Sequence, residues 1–89
     1  MSTSQLEKLI SLIRKKNLTI SFAESCTGGL LSASFAAIPG VSDIFQGSVV
    51  SYSNEVKQSL LGVQAETLQK FGAVSEQTVR EMAIGAKKF

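Results

Sequence analysis

The sequence contains no histidine. That absence removes the Ser-His-Asp and Cys-His relays and leaves lysine as the side-chain base able to activate a hydroxyl nucleophile. Cysteine is nearly absent as well. The lone Cys26 excludes an internal disulfide and a CxxC metal or redox site, and fits a reducing cytoplasm. No apolar run approaches the roughly 18 residues of a membrane span, and the N-terminus reads as an amphipathic helix, not a secretion signal. Charge is sparse: 18% of residues are charged, and nine basic against seven acidic ones leave a net charge of +2. So small an excess does not draw a nucleic acid by counterion release. Arg14, Lys15 and Lys16, and again Lys87 and Lys88, fall at the ends of predicted helices, where cations complement the carbonyl end of the dipole. A cytoplasmic protein with no membrane or nucleic-acid partner is expected.

What the chain does have is apolar side chains, 44% of its 89 residues. That fraction demands burial in one small domain over residues 1–89, near the size at which an independent core is marginal. For so short a chain it also implies that another copy, or further sequence, covers part of the surface, so a homo-oligomer is expected.

The periodicities place the elements. Ser4 and Glu7 form a capping box ahead of Leu6, Leu9, Ile10 and Ile13, predicting a helix from about Ser4 to Lys16. Leu18, Ile20 and Phe22 alternate with Thr19 and Ser21, predicting a strand that ends at Ala23. The polar turn Glu24 to Gly29 leads into a helix carrying Leu30, Leu31, Ser34, Phe35 and Ile38, closed by Pro39-Gly40. Val41 to Gln46 reads as a connector and Gly47 to Tyr52 as a second strand. Asn54 is the expected cap of a third helix, which Gly62 terminates. A fourth helix runs from Ala65 to Phe71 and stops at Gly72. The last starts at Ser75, with Val74 and Val79 placed as a hydrophobic staple. Two strands around a helix make a β-α-β unit, an α/β fold whose small sheet needs further pairing.

Two segments carry chemistry. Ala23-Glu24-Ser25-Cys26-Thr27-Gly28-Gly29 passes from a strand into a helix, where unpaired N–H groups suit an anion or oxyanion and the glycines admit a ligand close to the backbone. The plainer alternative is a capped turn, with Thr27 as N-cap and the glycines serving packing. Tyr52-Ser53-Asn54-Glu55-Val56-Lys57 lies at the second strand-to-helix junction, beside the first turn if the strands are neighbours. A lysine taken out of water can, as the free amine, accept the proton of a serine hydroxyl, which makes Lys57 the candidate base. The alternative for Lys57 is a solvated helix residue in an ion pair. For Tyr52 it is a strand-end aromatic with its hydroxyl in water. Cys26 is the second candidate nucleophile after Ser25, because a helix N-terminus favours a thiolate. Glu24 either holds substrate, orients Lys57, or is only a dipole partner.

Taken together, AESCTGGLLSASFAAIPGVSDIFQGSVVSYSNEVKQSLLGV and FGAVSEQTVREMAIGA resemble the CinA C-terminal domain family over nearly the whole chain. The specific parts are the Ala23 to Gly29 turn, Tyr52-Ser53-Asn54 with Lys57, and Gly72-Ala73-Val74-Ser75, in the family's order and spacing. The resemblance implies a three-layer α/β fold of which these residues form the N-terminal part, since family domains continue into further strands and a glycine-rich segment of the substrate pocket. It implies an amidohydrolase that converts the carboxamide of nicotinamide mononucleotide to the acid, with release of ammonia and no metal or other cofactor. Ser25 would be the nucleophile, Lys57 its base and Tyr52 a helper. Glu24, Cys26, Thr27, Gly28, Gly29 and Asn54 would contact substrate, with N–H groups near Cys26 to Gly28 holding the oxyanion. The other class of function open to the same motifs is a non-catalytic module for ligand binding or protein contact.

Overall fold

A computed structural model describes all of residues 1–89. Helix α1 spans Thr3–Lys15, and its capping box is Ser2 with Gln5, one turn-half earlier than the expected Ser4 with Glu7. Both pairs fit the capping pattern, but the earlier one starts the helix one residue sooner while leaving Leu6, Ile10 and Ile13 on the buried face. The helix ends in a Schellman arrangement. Asn17 takes the left-handed conformation at φ 57°, its N–H donates to Arg14 O, and the Leu18 N–H donates to Ile13 O. That cap consumes residues 17 and 18, which is why strand β1 starts at Ile20 instead of Leu18, and why Leu18 is 55% exposed.

Strand β1 spans Ile20–Glu24 and β2 spans Phe45–Val50. They pair in parallel as a two-stranded sheet, so the expected β-α-β unit is present. Between them lie helix α2, Leu30–Ala36, and a single 3-10 turn over Val41–Asp43. β2 therefore begins two residues earlier than expected and releases Ser51 and Tyr52 to the following loop. The register explains the shift. Ile20 pairs with Phe45 but Ser21 pairs with Gly47, leaving Gln46 as a bulge that Gly47 accommodates at φ 142°. The bulge turns Phe45 onto the Ile20 side of the sheet and Gly47 and Val49 onto the other.

Each face of the sheet then has its own core. On one side Leu6, Ile10 and Ile13 of α1 meet Phe35, Val41 and Ile44, with Ile20, Phe22 and Phe45 packed against them. Phe22, Phe35 and Phe45 form an aromatic triangle with centroids 4.9, 5.9 and 6.1 Å apart. On the other side Leu61, Val63, Met82 and Ala86 form a second core against Ala23 and Val49. It is built by α3 (Asn54–Leu61), α4 (Ala65–Phe71) and α5 (Glu76–Lys87). The result is the expected helix–sheet–helix layering. Ser53, not Asn54, is the N-cap of α3: its hydroxyl accepts from the Val56 N–H at 3.2 Å. Ser75 caps α5, as expected, but Val74 is 87% exposed and Val79 is exposed too, so neither is buried as a staple. No helix is long and apolar enough to cross a membrane.

Candidate functional site

Parallel pairing brings both strand-to-helix junctions to the same end of the sheet. Glu24 pairs with Val50, and the Ser51 N–H donates to Glu24 O at 2.8 Å, carrying the ladder one step past the strands. Ser25 and Ser51 are the residues that follow the last pair of the ladder.

The first junction is a tight turn. Its Gly28 N–H donates to Ser25 O at 3.0 Å, and Gly28 and Gly29 both sit in the left-handed region, at φ 63° and 109°. Gly29, not Thr27, is the N-cap of α2, and it offers no side chain. Glu24 supplies the cap instead. Its Oε1 accepts from Thr27 Oγ1 at 2.6 Å and from the Leu31 N–H at 3.0 Å. Its Oε2 accepts from the Ser32 N–H at 2.9 Å and from the Ser32 hydroxyl. The start of α2 is thus closed by the chain's own carboxylate, the dipole-partner alternative for Glu24. Gly28 is also excluded as an oxyanion donor, its N–H being taken. The N–H groups of Cys26 and Thr27 have no acceptor within the chain, and both residues are exposed.

Burial pushes the Glu24 carboxyl up, but the hydrogen bonds from Ser32 and Thr27 and the N–H groups of Ser32 and Leu31 outweigh it and hold it at about 2, below the ordinary 4.5. A carboxyl depressed on folding stabilises fully above its unfolded value, and that contribution is lost as pH falls from 4.5 towards 2. Glu24→Gln is expected to flatten the acid limb of the stability curve across that window. Glu24→Ala should cost about 3 kcal/mol at neutral pH by orphaning buried donors. Urea denaturation at several pH values checks both, and an unchanged acid limb in Glu24→Gln would show that the carboxylate carries none of it.

The second junction holds Lys57. Its side chain is 2% exposed, it forms no salt bridge, and Nζ donates to the backbone carbonyl of Tyr52 at 2.9 Å. The alternative of a solvated, ion-paired lysine is thereby overturned. Helix geometry accounts for the burial: Lys57 lies one turn before Leu61 on the α3 face that meets the second core. Tyr52 is 75% exposed and its hydroxyl has no partner, so it contributes a carbonyl to the amine. Asn54 is exposed at the first turn of α3.

Beside the first junction a cleft of about 440 Å³ opens between β1 and α5. Ser25, Cys26 and Thr27 stand at its polar end, and Val74, Val79 and Met82 are among its apolar walls. Lys57 and Tyr52 do not line it, and no hydrogen bond joins Ser25 to Lys57. The junctions are adjacent, while no hydrogen bond joins the two side chains. Sequence reasoning missed Ser51, whose hydroxyl is completely buried without a partner. The signal available was its place one step beyond the alternation of β2.

A two-stranded parallel sheet flanked by helices, with both junctions at one end, defines an α/β domain. The sequence profile described as the CinA C-terminal domain matches residues 2–89. The chain belongs to that family. A CinA-like protein of Fervidobacterium nodosum is 66% identical over 77 residues, which are 86% of this chain and 19% of that protein. A second, from Petrotoga mobilis, is 59% identical over 80 residues, 90% of this chain and 20% of its own length. Among solved structures, the competence/damage inducible protein CihA from Agrobacterium tumefaciens superposes with a TM-score of 0.89 at 42% identity, over 93% of this chain and 50% of that one. The competence or damage-inducible protein from Enterobacter asburiae gives 0.91 at 42% identity, over 93% and 52%. The chain thus spans about a fifth of its curated relatives and about half of the solved chains.

Proposed function

We propose that this chain carries the nucleophile and base of an amidohydrolase acting on the carboxamide of nicotinamide mononucleotide. The observation that carries the reading is Lys57: an amine withdrawn from water, with no carboxylate partner, anchored at the junction next to Ser25. Such a group is costly to bury and serves no ion pair, which favours a chemical role over a structural one.

In the proposed reaction Lys57 Nζ is the base that takes the proton of the Ser25 hydroxyl as Oγ attacks the amide carbon. The carbonyl electron pair moves onto oxygen, where the open N–H groups of Cys26 and Thr27 are the available donors. The ammonium then returns the proton to the departing nitrogen, the C–N bond breaks, and ammonia leaves an ester on Ser25. Water, deprotonated by the same amine, cleaves that ester to the carboxylate. Glu24 has all its acceptor positions committed to Thr27, Leu31 and Ser32, and its role is to set the turn that presents Ser25.

The competing reading is a non-catalytic ligand-binding or protein-contact module, favoured by the lack of a direct Ser25–Lys57 hydrogen bond. Ammonia release from nicotinamide mononucleotide separates the two. Release by the unaltered chain that disappears in Ser25→Ala is the expected result. No release, or release that survives Ser25→Ala, overturns the amidohydrolase reading for this chain.

A further inference from the structure

We infer that the Ser51 hydroxyl relays the proton between Ser25 and Lys57. The inference rests on the proposed function and supplies what that reading lacks, a link between two side chains that no hydrogen bond joins.

Three observations converge on Ser51. First, its Oγ is completely buried and has no partner, alone among the buried side-chain polar atoms. Buried hydroxyls are nearly always paired, so an unpaired one beside a candidate nucleophile marks a group held ready for a partner. Second, parity puts it on the right face. Val49 packs against the core of Leu61, Met82 and Ala86, and Ser51 is two residues further on, where the strand alternation continued by one step past β2 gives it the same side. Ala23 packs against that core too, and Ser25 lies two residues beyond Ala23. The Ser51 N–H donates to Glu24 O at 2.8 Å, which ties Ser51 to the residue immediately before Ser25. Third, Lys57 Nζ is fixed 2.9 Å from the carbonyl of Tyr52, the residue next to Ser51.

A hydroxyl is both donor and acceptor, as a relay requires. Ser51 Oγ accepts the proton leaving Ser25 Oγ and gives its own proton to the Lys57 amine, while Ser25 Oγ forms the bond to the acyl carbon. The reverse transfer returns the proton to the leaving group. No proton is gained or lost by Ser51 over the cycle.

The test uses p-nitrophenyl acetate, a small activated ester that needs no nucleotide pocket, with acetylation of Ser25 followed by intact mass and by Ser25→Ala as the blank. Ser51→Ala is expected to slow acetylation about a hundredfold while its melting temperature is unchanged or raised, because the hydroxyl it deletes has no partner. Lys57→Met combined with Ser51→Ala should be no slower than Lys57→Met alone, since a relay without its base has nothing left to lose. Wild-type rates in Ser51→Ala overturn the relay and leave the Ser25–Lys57 pair standing. So does a slowing that adds independently to that of Lys57→Met, or one that tracks a lowered melting temperature. Failure of the unaltered chain to acetylate at Ser25 overturns the nucleophile and the relay together.

Discussion

Gly85→Ala is expected to lower the melting temperature by about 15 °C, Gly85 being the one glycine at which an added Cβ would collide with backbone. On propensity alone the change should help, because alanine in a helix interior is favoured over glycine by about 1 kcal/mol. Packing decides the opposite. A Cβ at residue 85 would stand 2.0 Å from the carbonyl oxygen of Leu61, 2.7 Å from its carbonyl carbon and 2.8 Å from its Cα. These are backbone atoms at the last turn of α3, and no rotamer can clear them. α3 and α5 must separate, opening the core of Leu61, Val63, Met82 and Ala86 that lies between them. Overpacking a core typically costs about 1–3 kcal/mol, and a clash that only backbone can relieve falls at the top of that range. Thermal denaturation followed by circular dichroism reads the result, and an undiminished melting temperature would mean that the two helices do not meet at Gly85.

Lys57→Met should do the reverse, removing activity without removing stability. The change keeps an unbranched side chain on the buried face of α3 and exchanges an amine that has one carbonyl acceptor for an apolar group of similar length. The melting temperature is expected to hold or rise. General-base catalysis is worth about 10²–10⁴ in rate, and ammonia release from nicotinamide mononucleotide should fall by that factor. If instead the variant unfolds while its residual folded fraction keeps full activity, Lys57 is a structural residue and the proposed chemistry fails.

The order of elements was legible because each rests on a local signal. α4 spans the expected Ala65 to Phe71 and stops at Gly72, α5 follows its expected cap Ser75, and Gly62 closes α3 at φ 70°. The strand starts were displaced by two residues for reasons that local patterns do not carry. Leu18 reads as a strand residue by alternation, yet the Schellman turn at Asn17 claims it. Phe45 reads as connector, yet the bulge at Gln46 lets it join the aromatic triangle. The adjacency of the two junctions followed from parallel pairing of the strands. The burial of Lys57 did not, because α3 taken alone presents it as one charge among polar neighbours, and only the docking of α5 fixes which face is inside. Glu24 was legible as a partner for a helix start, but the use of both its oxygens, each accepting two hydrogen bonds, depends on where the turn delivers Thr27 and Ser32. Gly85 gave no sign, since a glycine within a helical pattern does not reveal which backbone crosses it.

The central claim is that Ser25 attacks the substrate carbonyl. Incubation with nicotinamide mononucleotide, an acid quench and peptide mapping test it most directly, because tryptic cleavage leaves residues 17–57 as one peptide containing both Ser25 and Cys26. The predicted result is an acyl adduct, the substrate less ammonia, located by fragmentation on Ser25. An adduct on Cys26, or turnover with no adduct that persists in Ser25→Ala, would contradict it.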